Sequence, residues 1–243
     1  MPFPLGASYA DLEESWRAAE ESGFEALWTI DHMTPTEKLR PAWEASALLV
    51  AMAAATRTIE VGVLVFDVML RHPMVLAGSV AVAQARSGGR VRVGLGIGDA
   101  FSKRDHDAMG IGFPGVAERT SHLDAAFAAI SHAAAAAGVP PPDFIVGGGS
   151  RTMMEAAVRH HAGWNLFTQD PGGFRVASGQ LEKFEAEMDA ARLSRSVYFF
   201  VDRIAGDLHD SLRRFEAAGA GEAMLVVMSP TAAAVSELAR RVL

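Results

Sequence analysis

Short runs of apolar, often β-branched residues alternate with longer amphipathic stretches from one end of the chain to the other. The amphipathic stretches repeat apolar positions every three or four residues, which predicts helices, whereas short continuous apolar runs are typical of strands buried on both faces. Eight runs predict strands: Phe3–Gly6, Ala26–Ile30, Glu60–Phe66, Arg90–Leu95, Asp143–Val146, Gly163–Phe167, Ser196–Val201 and Ala223–Val227. Because a predicted helix follows each run, the pattern indicates parallel βα units.

Residues with strong positional preferences mark where the predicted helices begin and end. Ser8 suits the N-cap of the first helix, and Gly23 suits its left-handed C-terminus. Proline favours the first helical position, which predicts helix starts at Pro41 and Pro73. The later helices are predicted over Val116–Ala137, from near Ser150, over Phe174–Arg192, around Leu208 and after Pro230.

Eight βα units of about 30 residues each account for the length of the chain. We therefore predict an α/β fold, a single (β/α)8 TIM barrel domain over residues 1–243. The alternative is an open doubly wound sheet that binds a cofactor at its switch point. Its fingerprint would be Gly94-Leu95-Gly96-Ile97-Gly98, but the third glycine of the spaced motif is absent and no clean amphipathic helix follows.

Composition excludes several kinds of chemistry. The chain has no Cys, which rules out disulfides, Cys-based zinc sites, iron–sulfur clusters and thiol nucleophiles. Its net charge of −7, without a run of Lys or Arg, argues against a nucleic-acid surface. The longest apolar stretch, Ala47–Ala55, is too short to cross a bilayer, and the first residues do not resemble a signal peptide. We expect a cytoplasmic protein that acts on small molecules, with no nucleic-acid or membrane partner.

Binding groups in such a barrel come from the carboxyl ends of the strands. The residues at these ends include Asp31, His32, Gly96, Gly98, Asp99 and Asn165. The adjacent residues Asp31 and His32 are the strongest candidates for catalysis, since a carboxylate can orient an imidazole that transfers a proton near neutral pH. In the competing interpretation, Asp31 accepts local backbone hydrogen bonds and His32 is an ordinary loop residue; position alone does not decide between the two.

The loop Gly147-Gly148-Gly149-Ser150-Arg151 follows another predicted strand and opens a helix. Amides at a helix N-terminus attract phosphate, glycines let the backbone approach it, and Ser150 and Arg151 add a hydroxyl and a charge. The alternative is a strand–helix turn in which Ser150 is simply the N-cap. We favour phosphate binding. The sequence contains no constellation typical of a metal site.

Several segments together resemble one family, the bacterial luciferase-like oxidoreductases that depend on flavin or coenzyme F420. The matching segments are residues 18–32, residues 53–62, Arg71-His72-Pro73, residues 87–98, Phe113-Pro114 with Glu118-Arg119, the Gly147–Gly149 loop and Gly163-Trp164-Asn165. They occur in the order typical of the family and span most of the chain.

The resemblance implies a flavin or deazaflavin ring at the carboxyl-terminal mouth of the barrel. In the family, the counterpart of His32 lies close to the ring, the strand end matching Val65 and Phe66 often carries a cis peptide, and the glycine loop contacts the phosphate arm. Gly96, Gly98, Asp99 and Asn165 are expected to join this cofactor site.

For function, the resemblance favours F420-dependent hydride transfer to or from a small organic substrate, with His32 as acid or base and Asp31 orienting it. The alternatives are an FMN-dependent monooxygenase of the same fold and a non-catalytic flavin-binding barrel. Since barrels of this family often pair and the Ala-rich helices permit close contact, we expect a homodimer.

The chain also departs from the family pattern. The insertion between the fourth and fifth predicted strands is short, with one Ala-rich helix and the Pro140–Pro142 turn. Asp105-His106 stands where Glu-His is usual, and Asp99 replaces a common aromatic residue. A shortened cover exposes the mouth to water, which threatens reactive oxygen intermediates more than simple hydride transfer.

Overall fold

The computed structural model describes residues 1–2, 4–33, 43–204 and 206–243, and these contain one sheet of seven parallel strands. The strands are β1 Ala26–Thr29, β2 Glu60–Asp67, β3 Val91–Gly96, β4 Asp143–Gly147, β5 Gly163–Phe167, β6 Arg195–Phe200 and β7 Glu222–Val226. Each strand pairs with the next along the chain, and the sheet curves into a nearly closed TIM barrel. The predicted fold class is confirmed. The doubly wound alternative is wrong, because its strand order would reverse at a switch point.

The predicted strand Phe3–Gly6 does not form in the described residues. Pro2 instead makes an isolated parallel bridge with Val227, and the end of the predicted range is a turn. Phe3 lies outside the described residues. Proline has no amide proton, so Pro2 and Pro4 each remove a donor that a full strand would need. A single bridge therefore stands beside β7 where an eighth strand was expected.

Nine α-helices surround the sheet in the part of the chain that the structure describes. They are α1 Tyr9–Glu21, α2 Ala45–Ala55, α3 Pro73–Ser87, α4 Ser102–Met109, α5 Val116–Ala136, α6 Arg151–Arg159, α7 Pro171–Glu187, α8 Leu208–Ala217 and α9 Ala232–Val242. Ser8 caps α1 and Pro73 opens α3, as predicted. The side chain of Glu44 caps α2, whereas the predicted start at Pro41 lies outside the described residues. None of these helices is long and apolar enough to cross a membrane.

Helix α4 was not predicted from the sequence. The side chain of Asp99 begins it, since Oδ1 accepts hydrogen bonds from the amides of Phe101 at 2.8 Å and Ser102 at 2.9 Å. Periodicity does not reveal this helix, because the side chains that it buries are the polar Asp105 and His106. The connection between β3 and β4 therefore carries two helices, α4 and α5, rather than the one that was predicted.

The inside of the barrel is filled toward the amino ends of the strands. A buried apolar cluster there contains Trp28, Leu64, Ile145 and Met224. Trp28, Gly62 and Arg92 are register partners across β1, β2 and β3. A Cβ on Gly62 would lie 2.4 Å from the Trp28 ring, so glycine makes room for the indole. Arg92 lies over that ring and forms an ion pair with Glu222 at 2.7 Å. Packed side chains therefore occupy the interior of the barrel in this layer.

Glu20, near the end of α1, holds the turn that leads into β2. Its Oε1 accepts hydrogen bonds from the amides of Arg57, Thr58 and Ile59 at 2.8, 2.7 and 3.1 Å. Burial raises the pKa of Glu20, but these hydrogen bonds outweigh that effect and lower the pKa to about 2. The ionised carboxylate is thus the form that stabilises the turn.

We expect Glu20→Gln to lower the free energy of unfolding at pH 7 by about 1 kcal/mol, since water screens a carboxylate that is only partly buried. A group whose pKa is lowered on folding contributes stability above its ordinary value of 4.5, and that contribution is lost as the pH falls toward about 2. In urea unfolding, the difference between wild type and variant should shrink below pH 4.5. Glu21→Gln, at the exposed neighbouring residue, is the control. A loss of unfolding free energy in Glu20→Gln that does not change with pH would contradict the role given to the ionised carboxylate.

Candidate active site at the barrel mouth

His32 lies just after β1, at the carboxyl-terminal mouth of the barrel. Its side chain is 30% exposed, and Nδ1 lies 2.9 Å from Oδ2 of Asp105 on α4. The ring also meets Phe101 edge-on, with 4.8 Å between the ring centroids. Because the buried carboxylate of Asp105 engages Nδ1, the other ring nitrogen, Nε2, is the one left for proton transfer.

Asp31 was expected to orient His32, but it has a different partner. Both of its oxygens pair with the Arg71 guanidinium, at 2.6 and 2.7 Å, and Oδ2 also accepts from the amide of Asp67. Successive side chains of an extended chain point to opposite sides, so Asp31 and His32 cannot share one environment. Burial lowers the pKa of Arg71, and its ion pairs with Asp31 and Glu44 outweigh this effect and raise it. Asp31 is therefore the counterion of a buried arginine.

His106 makes the second attachment of α4 to the barrel. The side chain is fully buried, with Nε2 2.8 Å from Oδ2 of Asp67 and Nδ1 3.1 Å from the carbonyl oxygen of Gly112. Because Asp105 and His106 are adjacent, one helix engages both His32 after β1 and Asp67 at the end of β2. The sequence singled out this Asp-His pair only as a departure from the family pattern; the available signal was two adjacent ionisable residues in the connection that follows β3.

Val65 forms the floor of the mouth against two glycines. The Leu64–Val65 peptide bond is cis, at the strand end where the resemblance places such a bond. A Cβ on Gly96 would lie 2.6 Å from Cγ2 of Val65, and one on Gly147 would lie 2.7 Å from Cγ1. These glycines leave the space that the Val65 side chain occupies. The partly exposed isopropyl group consequently presents an apolar surface, and neither Gly96 on β3 nor Gly147 on β4 places a side chain beside it.

The glycine loop, residues 147–149, joins β4 to α6. The amide of Gly148 donates to the carbonyl oxygen of Asn165 on β5, which anchors the loop. Ser150 is the N-cap of α6 and its Oγ accepts from the amide of Met153, as the turn interpretation predicts. The amides of a first helical turn have no acceptor within the helix, so those not taken by Ser150 can meet an anion. Capping and phosphate binding are compatible here.

Two predicted cofactor-binding residues, Phe66 and Asn165, are buried. Phe66 is fully buried and belongs to the core between the sheet and the helices. Asn165 is also buried, with Nδ2 3.0 Å from Oγ of Ser196 and 3.2 Å from the sulfur of Met224. Alternation along β2 turns Phe66 outward, whereas Val65 faces the mouth. The predicted role of Phe66 in cofactor contact is thus not supported by its position.

The other predicted residues have structural contacts of their own. Gly98 has a φ of +69°, and a Cβ there would lie 2.6 Å from Oδ2 of Asp67, so only glycine fits without strain. Asp99 begins α4, and the exposed Arg151 pairs with Glu155 at 2.7 Å. In the described ranges, no three His, Asp or Glu side chains are grouped as metal ligands would be.

An aromatic wall, defined as Phe167, Tyr198 and Phe200, lines the mouth at the ends of β5 and β6. Ring centroids lie 4.9 Å apart for Phe167 and Tyr198 and 5.7 Å apart for Phe167 and Phe200. Phe167 is 48% exposed. Burial raises the pKa of Tyr198 to about 12, so its phenol is protonated at neutral pH. Sequence analysis missed this wall because aromatic residues in an apolar run predict strand core; the available signal was Tyr198 and Phe200 at spacing two, on one face of a strand.

We expect Asp31→Asn to lower the free energy of unfolding by about 3 kcal/mol, because it leaves the buried Arg71 without its bidentate partner. Urea unfolding at pH 7 measures the change, and Asp11→Asn on the exposed start of α1 is the control. The double variant Asp31→Asn/Arg71→Gln should lose less than the sum of the two single variants. A change below about 0.5 kcal/mol for Asp31→Asn, as at ordinary surface sites, would contradict the assigned ion pair.

The chain is similar in sequence to one protein family and to several known enzymes. The model of a family described as luciferase-like monooxygenase matches residues 3–241. The 5,10-methylenetetrahydromethanopterin reductase of Methanopyrus kandleri is 33% identical over 98 residues, which cover 40% of this chain and 25% of that protein. The F420-dependent glucose-6-phosphate dehydrogenase of Kineococcus radiotolerans is 32% identical over 114 residues, covering 46% of this chain and 33% of that protein. The matched segments thus span a third or less of these relatives.

Solved structures share the fold over almost the whole chain. The coenzyme F420-dependent tetrahydromethanopterin reductase of Methanopyrus kandleri has a TM-score of 0.78 at 16% identity, covering 100% of this chain and 97% of that one. An F420-dependent secondary alcohol dehydrogenase, in complex with an F420-acetone adduct, has a TM-score of 0.76 at 15% identity, covering 99% and 96%. A monooxygenase from Streptomyces bottropensis has a TM-score of 0.69 at 17% identity, covering 99% and 98%. At these identities the likeness concerns the fold.

Proposed function

This chain belongs to the luciferase-like monooxygenase family, and we propose that it is an oxidoreductase that uses coenzyme F420 to transfer hydride to or from a small organic substrate. The observation that carries the proposal is the position of His32 just after β1, where Nδ1 lies 2.9 Å from Oδ2 of Asp105. The names of relatives that depend on F420 support the choice of cofactor.

The described residues fit a planar ring that carries a phosphate arm. Val65 offers an apolar surface, and Gly96 and Gly147 place no side chains beside it. The glycine loop leads to the first turn of α6, where amides attract an anion. The aromatic wall supplies further apolar surface from β5 and β6. Bound at the mouth, F420 would supply the hydride chemistry, while the protein contributes position, proton transfer and electrostatics.

His32 is the residue that we assign to proton transfer. With Nδ1–H donating to Asp105, Nε2 of the neutral ring is an acceptor and takes a proton from the substrate; the protonated ring returns one in the opposite direction. The carboxylate stabilises the positive ring that forms, so Asp105 is a positioning residue that acts through His32. This role replaces the one that the sequence analysis gave to Asp31.

Equilibrium titration of the purified protein with F420, followed by fluorescence or calorimetry, tests the cofactor assignment. We expect saturable binding of one F420 per chain. The absence of affinity for F420 would refute the proposal. Binding of FMN in its place, with oxygen consumption on reduction, would favour the monooxygenase alternative. Binding of either cofactor without any turnover would favour a non-catalytic barrel.

We expect His32→Gln to lower kcat by about 100-fold, the typical contribution of a positioned acid or base, and to leave the Kd for F420 nearly unchanged. Asp105→Asn should lower kcat by about tenfold, as outer-shell partners do, and Asp105→Glu should restore part of that loss. His132→Gln, at an exposed position on α5, is the matched control. Equal losses in kcat and in F420 affinity for His32→Gln would point to a binding role instead of proton transfer.

A homodimer and a cytoplasmic location belong to the same proposal. Helix α3 exposes the apolar side chains of Met74, Val75 and Val82, by 55%, 60% and 56%. Gly78 and Ser79 lie between them, and small residues let a second helix approach closely. Light scattering should give about twice the chain mass of 25.8 kDa, and a monomer mass would remove the dimer. Cell fractionation tests the location.

A further inference from the structure

A cleft of about 250 Å³, here named the α8 cleft, lies beside the barrel mouth. The segments after β5 and β6 form two of its walls, and α8 forms the third. Its polar lining residues are Gln169, Asp170, Arg203, Ser211 and Arg214. Because it combines residues from the carboxyl ends of two strands, it lies at the same end of the barrel as His32.

Two exposed arginines and one aspartate line the α8 cleft, which gives its lining a net positive charge. Among the described residues, neither Arg203 nor Arg214 has a carboxylate within ion-pair distance, whereas the neighbouring Arg213 pairs with Asp210 at 3.3 Å. Asp170 also lines the cleft, but its two carboxylate oxygens accept hydrogen bonds from backbone amides at 2.9 and 2.8 Å as the N-cap of α7. In a chain with a net charge of −7, two arginines that line one cleft without an ion-pair partner favour an anionic ligand.

Gln169 supplies the second, independent observation. Both polar atoms of its side chain, Nε2 and Oε1, are buried and have no hydrogen-bond partner in the described part of the chain. Leaving a buried amide unsatisfied costs about 1–3 kcal/mol for each group, so the side chain gains a partner if it turns toward a molecule bound in the cleft. The ligand must then both accept a hydrogen bond from Nε2 and donate one to Oε1.

The cleft is connected to the mouth through Arg203. Its guanidinium carbon lies 4.2 Å from the centroid of the Phe200 ring, and Phe200 is part of the aromatic wall. This stacking holds one cation of the cleft against the apolar surface that faces the mouth. A molecule anchored in the cleft by an anionic group could therefore extend its remaining atoms along the aromatic wall toward the mouth.

We propose that the α8 cleft binds the phosphoryl group of a phosphorylated substrate, an inference that rests on the proposed function. A phosphate monoester carries a charge of about −1.5 to −2 at pH 7, which matches two guanidinium groups. Its singly protonated form also has an O–H that can donate to Oε1 of Gln169. A carboxylate has one charge and no such donor, so it satisfies the cleft less completely.

Isothermal titration calorimetry with inorganic phosphate tests the site, on protein saturated with F420 so that the cofactor's own phosphate arm occupies the first turn of α6. We expect one phosphate per chain, and Arg203→Gln and Arg214→Gln should each raise Kd about tenfold through the loss of a charge-assisted contact. Arg213→Gln, one residue away on the same helix but paired with Asp210, should leave Kd within about twofold of wild type. Acetate should bind at least about tenfold more weakly than phosphate, because it pairs fewer of the groups.

Gln169→Leu separates binding from structure. The substitution removes both unsatisfied polar atoms, so the unliganded variant should have a higher Tm than wild type while its phosphate Kd rises about fivefold. A lower Tm together with unchanged phosphate binding would overturn the role given to Gln169.

Several results would overturn the phosphoryl site. The site is refuted if phosphate does not bind, if acetate binds with equal affinity, or if Arg213→Gln and Arg214→Gln have equal effects. It is also refuted if phosphate no longer binds once F420 is bound, because that result would assign the cleft to the cofactor. Phosphate binding without F420 binding would refute the proposed function alone. F420 binding without phosphate binding would refute this site alone.

Discussion

The contact between Asp67 and His106 is the interaction on which the barrel mouth depends. Asp67 ends β2, and its side chain is hydrogen-bonded to a fully buried imidazole of α4 while its amide donates to Asp31. Asp31 in turn neutralises Arg71. One short helix is thereby fixed to the sheet, and it carries Asp105 to the place where it meets His32. The geometry of the candidate acid–base group is a consequence of this buried polar network, which must be fully satisfied to be stable.

Glycines, which have no side chain, determine the shape of the rest of the mouth. Gly96 and Gly147 leave room for Val65, and Gly98 lets the backbone pass close to the carboxylate of Asp67. Any larger residue at these positions would force the floor to move. The glycines therefore act first on packing, and the open surface for a ring and a phosphate arm follows from that packing. The same residues serve the fold and the site, which explains why a short sequence motif could suggest the site.

Seven of the eight predicted strands form because periodicity and burial act locally and agree with each other. The first failed because prolines deplete its hydrogen-bond donors. Helix α4 escaped prediction because polar side chains, Asp105 and His106, bury its inner face, a pattern that hydrophobic periodicity cannot detect. His32 was proposed from its place after a strand, but its partner was predicted wrongly: proximity in sequence suggested Asp31, whereas the carboxylate that meets its ring comes from 73 residues away.

The central claim is that F420 binds at this mouth, with His32 and the first turn of α6 on the two ends of the cofactor. A crystal structure of the protein soaked with F420 tests it most directly. The account predicts density for the ring on the Val65 floor, in contact with His32, and for the phosphate at the amides that follow Gly149. Density for the cofactor elsewhere on the chain, or a ring that lies out of reach of His32, would contradict it.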